Sequence, residues 1–277
     1  MSYVVTAEQS KLGFQAISPT EVTVPRLAVS STGHEKRGKS HWAFTAPGRI
    51  GLVSTDTGSL EVARKFAHKG KKFLYLPVAS PEDLRQKGDK KQYDKEWDLV
   101  VSGFNNIIHD AGCRTIVADT LTEMWALCRL AAFGDLAIKV RQDERFRQWD
   151  IVNREFRSVL KAVYARPNLN AIFIHKYKKE YKQNSKGDSD WTGRYESSRM
   201  GDVPFLVDLN VENYMSSEAA TKGLQITFGV RVLAELSSRF EPFSLIGTEL
   251  EGEECTFGHL GMLAFPETSP DYWGLEL

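Results

Sequence analysis

A chain of 277 residues with 42% hydrophobic and 26% charged side chains has room for one large domain or two small ones and the balance of an ordinary globular protein. No apolar run approaches the roughly 18–20 residues of a membrane span, and Met1–Gln9 lack the charged-then-apolar layout of a signal peptide. Three scattered cysteines, Cys113, Cys128 and Cys255, are too few for a disulfide framework or a zinc site, so a reducing cytoplasm is the default compartment.

Residues 1–24 carry no strong pattern and are expected to form a short strand or arm. Arg26–Ser31 is short and mostly apolar, as a buried parallel strand would be. Gly33-His34-Glu35-Lys36-Arg37-Gly38-Lys39-Ser40 follows and fits G-x-x-x-x-G-K-[ST], the phosphate-binding P-loop, and His41–Phe44 can open a helix behind it. The chemistry needs backbone N–H groups converging on one concavity, so Gly33 and Gly38 permit the tight turn. Lys39 reaches the β- and γ-phosphates, and the Ser40 hydroxyl ligates Mg²⁺. His41 completes the expected nucleotide-contacting run. The alternative is a surface Gly-Lys turn.

Gly48–Asp56 reads as a second strand ending on a carboxylate, and Ser59–Gly70 as a helix stopped by glycine. Lys72–Val78 is a third strand. Pro81–Gly112 turns amphipathic as Trp97, Val100, Val101, Phe104, Ile107 and Ile108 recur every three or four residues. Cys113–Asp119 is a strand ending on another carboxylate, followed by a helix through Met124, Leu127 and Leu130. Residues 141–166 form a charged amphipathic helix and Leu169–His175 a further buried strand. Lys176–Gly201 is then expected to be a long polar loop. Phe205–Tyr214 and Leu224–Leu236 alternate like half-buried strands, and the last dozen residues read as a loose tail. Alternating strands and helices of these lengths give an α/β fold, a mostly parallel sheet with helices on both faces. Ligands of such sheets sit beyond the carboxyl ends of the strands, where the P-loop, Asp56, Asp119 and His175 all emerge.

The arrangement resembles the RecA-type recombinase ATPases. Glu35 as the third residue of G-x-E-x-x-G-K-S, the acid closing Leu52-Val53-Ser54-Thr55-Asp56, and Thr115-Ile116-Val117-Ala118-Asp119-Thr120 in the place of the Walker B strand carry the likeness. Ile172-Phe173-Ile174-His175-Lys176 stands where that family has a strand ending in a polar pair. The compact core is most similar to the small RecA-like ATPases of bacteriophages that act in single-strand annealing and recombination. The resemblance implies a RecA-like P-loop core over residues 25–240 with antiparallel strands at its C-terminal edge, preceded by an arm (1–24) and followed by an acidic extension (241–277). It implies ATP and Mg²⁺ as cofactors, with Asp119 holding the metal, Asp56 orienting the attacking water and His175 reporting the γ-phosphate. An N-cap is the alternative for either acid, and a satisfied core histidine for His175. Asp56 is one methylene shorter than the usual Glu, so hydrolysis is expected to be slow.

In recombinases the segment after the sensor strand touches single-stranded DNA. Here Lys176, Lys178, Lys179, Tyr181, Lys182, Trp191, Arg194 and Tyr195 interleave cations with rings, a pattern suited to phosphates and stacked bases, or else to a solvated connection. Charge agrees with a polyanion partner: Lys139–Arg199 holds fifteen basic against eight acidic residues, and Gly201–Leu277 three against thirteen. Two mutually neutralising faces would give the same count. The resemblance also implies a homo-oligomer, ring or filament, in which Arg231 or Arg239 could act in trans on a neighbour's nucleotide. The expected function is ATP binding and hydrolysis coupled to single-stranded DNA. The alternative is a nucleotide-switched module with negligible turnover that recruits a single-strand-binding or replication protein.

Overall fold

The structure, a computed structural model, describes residues 25–87, 89–134, 142–183, 189–220, 223–235 and 244–275. The expected arm at 1–24 and Arg239 lie outside the described residues. In chain order the elements are β1 (Ala28–Thr32), α1 (Lys39–Ala43), β2 (Arg49–Ser54), α2 (Thr57–His68), β3 (Phe73–Pro77), α3 (Pro81–Lys87) and α4 (Lys90–His109). β4 (Cys113–Asp119), α5 (Leu121–Phe133), α6 (Gln142–Ala162), β5 (Asn170–Ile174), β6 (Lys176–Gln183) and β7 (Ser189–Ser198) follow. The chain closes with α7 (Val203–Leu206), β8 (Leu209–Ala220), β9 (Gly223–Glu235), β10 (Glu249–Glu251) and α8 (Phe257–Ala264).

One eight-stranded sheet runs β10-β9-β8-β1-β5-β4-β2-β3. Every pair from β8 to β3 is parallel, and β8/β9 and β9/β10 are antiparallel. The expected mostly parallel sheet with an antiparallel C-terminal edge is therefore the fold. β1 and β5 are buried along their whole length, which is why neither sequence shows the alternation of a half-buried strand. On one face α4, α5 and α6 pack Trp97, Phe104, Ile107, Leu127 and Phe156 against the sheet, with Trp97 stacked on Phe156 at 5.9 Å. On the other face α1, α2 and α8 bring Trp42, Phe44, Ala63, Phe257 and Leu260 onto it. Covering both faces leaves the carboxyl ends of the parallel strands as the open edge, and the register there pairs Ser54 with Asp119 and Asp119 with Ile174.

Two expectations are corrected. Lys176–Gly201 is not a structureless loop: β6 and β7 form a separate antiparallel hairpin pairing Lys176 with Ser198 and Tyr181 with Trp191. Cross-strand pairs hold it, among them the Lys178–Glu196 ion pair at 3.1 Å and Lys179 Nζ 5.1 Å over the Trp191 ring. The C-terminal residues are not a loose tail either. β10 joins the sheet, and a 3₁₀ turn at Pro270–Trp273 buries the Trp273 ring completely between Phe257 and Phe265. Among the described residues, no helix is long and apolar enough to cross a membrane.

Candidate functional site

The P-loop turns out of β1 under steric constraint. Gly33 has φ +148°, and a Cβ there would lie 2.4 Å from the Asn213 carbonyl oxygen of β8, so only glycine fits. Lys36 (φ 60°) and Gly38 (φ +80°) add further left-handed turns that fold the loop's backbone into a concavity. Lys39 Nζ curls back and donates to the carbonyl oxygens of Gly33 (2.8 Å) and His34 (2.7 Å). Burial lowers the Lys39 pKa below the usual lysine value, while Asp119, Glu35 and Asp56 pull it back up.

Opposite the loop, Asp119 ends β4 with 1% of its surface exposed. Its Oδ2 accepts from the Ser40 and Ser59 hydroxyls, each at 2.6 Å, and its backbone oxygen accepts from the Ser54 hydroxyl at 2.8 Å. Burial pushes this carboxyl up, and the two serine hydroxyls hold it down. The following helix is capped by Thr120, whose Oγ1 accepts from Glu123 N, so the Asp119 carboxylate is left to face Ser40. Asp56 behaves differently: it is exposed and caps α2, its Oδ1 accepting from Gly58 N at 2.8 Å. Lys39, Ser40, His41, Asp56 and Asp119 all line one cavity of about 720 Å³, together with Glu123, Lys176 and Phe228. That volume lies within the roughly 300–1,000 Å³ of small-ligand sites.

His175 and Lys176 separate at this point. The imidazole is 1% exposed, neither ring nitrogen has a partner among the described residues, and it does not line the cavity. Burial, with Arg199 adding to it, drops its pKa to about 3, so the ring is neutral. Lys176, the next residue, lines the cavity and forms an ion pair with Glu123. Arg231 is engaged within its own chain, 2.6 Å from Glu249.

The expected DNA contacts Lys176, Lys178, Lys179, Tyr181, Lys182, Trp191, Arg194 and Tyr195 all fall on the β6–β7 hairpin. Tyr181, Trp191 and Tyr195 are about half exposed. The hairpin root is fastened to the core: the Thr122 hydroxyl donates to Ser198 O, Lys176 N donates to Thr122 Oγ1, and Tyr177 donates to Glu212 at 2.7 Å. Sequence reasoning missed Ser59, Glu123 and Phe228. Glu123 was accessible through the Thr120-x-x-Glu123 capping spacing. Phe228 carries no local signal, because a long hairpin brings it within 3.2 Å of where a Cβ on Gly38 would lie.

A parallel sheet with a glycine-shaped phosphate loop at the end of β1, and a buried acid facing the loop's Ser40 from β4, is a P-loop nucleotide-binding core of the RecA-like kind. Residues 26–235 match the family described as an AAA domain, and the chain belongs to that family. Among solved structures, the chain is similar to the RadB recombinase, with a TM-score of 0.46 and 10% identity over 83% of this chain and 87% of that one. It is also similar to an ATPase of the type III secretion system of pathogenic bacteria, with a TM-score of 0.39 and 12% identity over 68% of this chain and 52% of that one. No curated protein matches the sequence.

Proposed function

We propose that this protein binds ATP with Mg²⁺ and hydrolyses it in a reaction stimulated by single-stranded DNA, in recombination or annealing of the bacteriophage type. One observation carries the reading: the phosphate-facing groups Lys39, Ser40 and Asp119 share a cavity with Lys176, the first residue of the basic, ring-bearing hairpin. The Ser40 hydroxyl and Asp119 carboxylate, 2.6 Å apart, are an oxygen-only donor pair that fits a hard divalent cation keeping several waters. Bound there, Mg²⁺ would neutralise charge on the phosphate oxygens.

Lys39 would exchange the carbonyl oxygens of Gly33 and His34 for those of the β- and γ-phosphates. Asp56 would orient the attacking water and take its proton as the bond between the terminal phosphorus and the bridging oxygen breaks, releasing ADP and inorganic phosphate. The phosphate-sensing part given to His175 in the sequence passes in this reading to Lys176, a cation at the cavity wall that would leave Glu123 for the terminal phosphate. Subunits packed head to tail, in a ring or a filament, would let Arg231 serve a neighbour only after releasing Glu249.

The second reading is a nucleotide-switched module with negligible turnover that recruits a single-strand-binding or replication protein. Asp56 favours it, because one oxygen of its carboxylate already accepts from Gly58 N in capping α2. ATP hydrolysis measured with and without single-stranded DNA, for the native chain and for Lys39→Ala, separates the two. The enzyme gives turnover that DNA raises and the substitution abolishes. Nucleotide binding without turnover in the native chain gives the switch.

A further inference from the structure

The turn His34-Glu35-Lys36-Arg37 is more than the phosphate loop requires, and its His34 ring points to the hairpin. It stands edge-on to Tyr195 at 4.5 Å and to Tyr177 at 5.1 Å. Tyr195 in turn meets Trp191 edge-on at 6.2 Å. The rings therefore form an unbroken track, Trp191, Tyr195, His34, Tyr177, from the exposed strand β7 down to the P-loop. At its inner end lies a second cavity of about 460 Å³ between the loop and the hairpin, walled by these last three rings. Arg37, Lys39 and Lys176 supply three cations to its lining against the single carboxylate of Glu35. Rings with interleaved cations are the chemistry that holds a base on a π-face and its phosphate by charge.

We propose that this second cavity seats one nucleotide unit of a bound single strand, its base stacked on the His34–Tyr195 side and its phosphate held by Arg37. The proposal rests on the single-strand reading above and places part of the strand on the P-loop itself. Glu35, Arg37, Lys39 and Lys176 line both cavities, so strand and nucleoside triphosphate touch the same loop from two sides. Coupling between the two ligands then needs no relay through the buried His175.

The test is photocross-linking of the native chain to oligothymidylate carrying 5-iodouracil, with the adducts mapped by mass spectrometry, alongside oligothymidylate titrations of Tyr195→Ala and Tyr195→Phe. Adducts on His34, Tyr177 or Tyr195 are expected, with affinity reduced roughly tenfold in Tyr195→Ala and kept within about twofold in Tyr195→Phe. Circular dichroism of both variants is the control for an intact fold. Adducts confined to Tyr181 and Trp191, or a folded Tyr195→Ala that binds as the native chain does, overturn the seat while leaving the single-strand reading standing. A native chain that binds no oligothymidylate removes that reading and the seat together.

Discussion

His175 and Lys176 are neighbours in the chain, yet burial makes one a neutral core residue and leaves the other a cation at the cavity wall. The depressed His175 pKa has a measurable consequence. The unfolded imidazole protonates near 6.5, whereas the folded one stays neutral to about 3. Between those values the unfolded chain binds a proton that the folded chain does not, so stability is lost as pH falls across that window, by up to about 1.4 kcal/mol per unit. Urea midpoints at pH 7, 6 and 5 should therefore fall more steeply for the native chain than for His175→Gln. Equal slopes would mean that the folded imidazole takes up protons freely. Single residues divide in how far the sequence discloses them. Gly33, Gly38, Lys39 and Ser40 declare themselves because one loop geometry demands all four. The environment of Asp56, Asp119 and His175 depends on strands far apart in the chain: the same residue type is exposed at 56 and buried at 119.

At the scale of elements, most of the parallel strands were legible as short, largely apolar runs between helical stretches, with polar residues such as Ser31, Ser54 and Asp119 gathered at their carboxyl ends. The β6–β7 hairpin was not, because most of its described residues are solvent-exposed and neither face carries the alternation that marks a half-buried strand. Its order comes from cross-strand pairs and from a root bonded to Thr122 and Glu212, partners that no local window contains. The C-terminal turn was misread for a related reason: Pro270-Asp271-Tyr272-Trp273 is too short to show a period, although its last residue carries the large indole ring. That ring is completely buried, and a Cβ on Gly261 of α8 would come within 2.3 Å of it. Its indole N–H donates to Thr268 at 2.7 Å, and the neighbouring Tyr272 hydroxyl donates to Pro25 O at 2.6 Å, so the turn ties the chain's end to the approach of β1. Trp273→Ala should cost about 3–5 kcal/mol, read as a lowered denaturant midpoint with the m-value retained. A loss below about 1 kcal/mol would show that the tail is dispensable to the core.

On the whole molecule, a net charge of zero conceals how the charges are spent. Of the cations on the hairpin and just past it, Lys176 is tied to Glu123, Lys178 to Glu196, and Arg199 bonds to Ser30 and Asn210. Among the described residues, Lys179, Lys182 and Arg194 carry no ion pair, so three of the six named are free for phosphate without first breaking a bond. For single strands each phosphate neutralised contributes a slope of about −0.7 to log K against log salt. Arg37 of the proposed seat and these three free cations together predict a slope near −3 for oligothymidylate binding without nucleotide, whereas using the other three as well would give about −5. A triphosphate that draws Lys176 away from Glu123 takes that cation for itself, so saturating ATP should leave the slope near −3 even where it tightens binding. Titrations from about 50 to 200 mM salt, with and without ATP, measure both slopes. A value near −5 in either condition would mean that the two ion pairs and the Arg199 hydrogen bonds open on binding and that the strand, not the nucleotide, takes their cations.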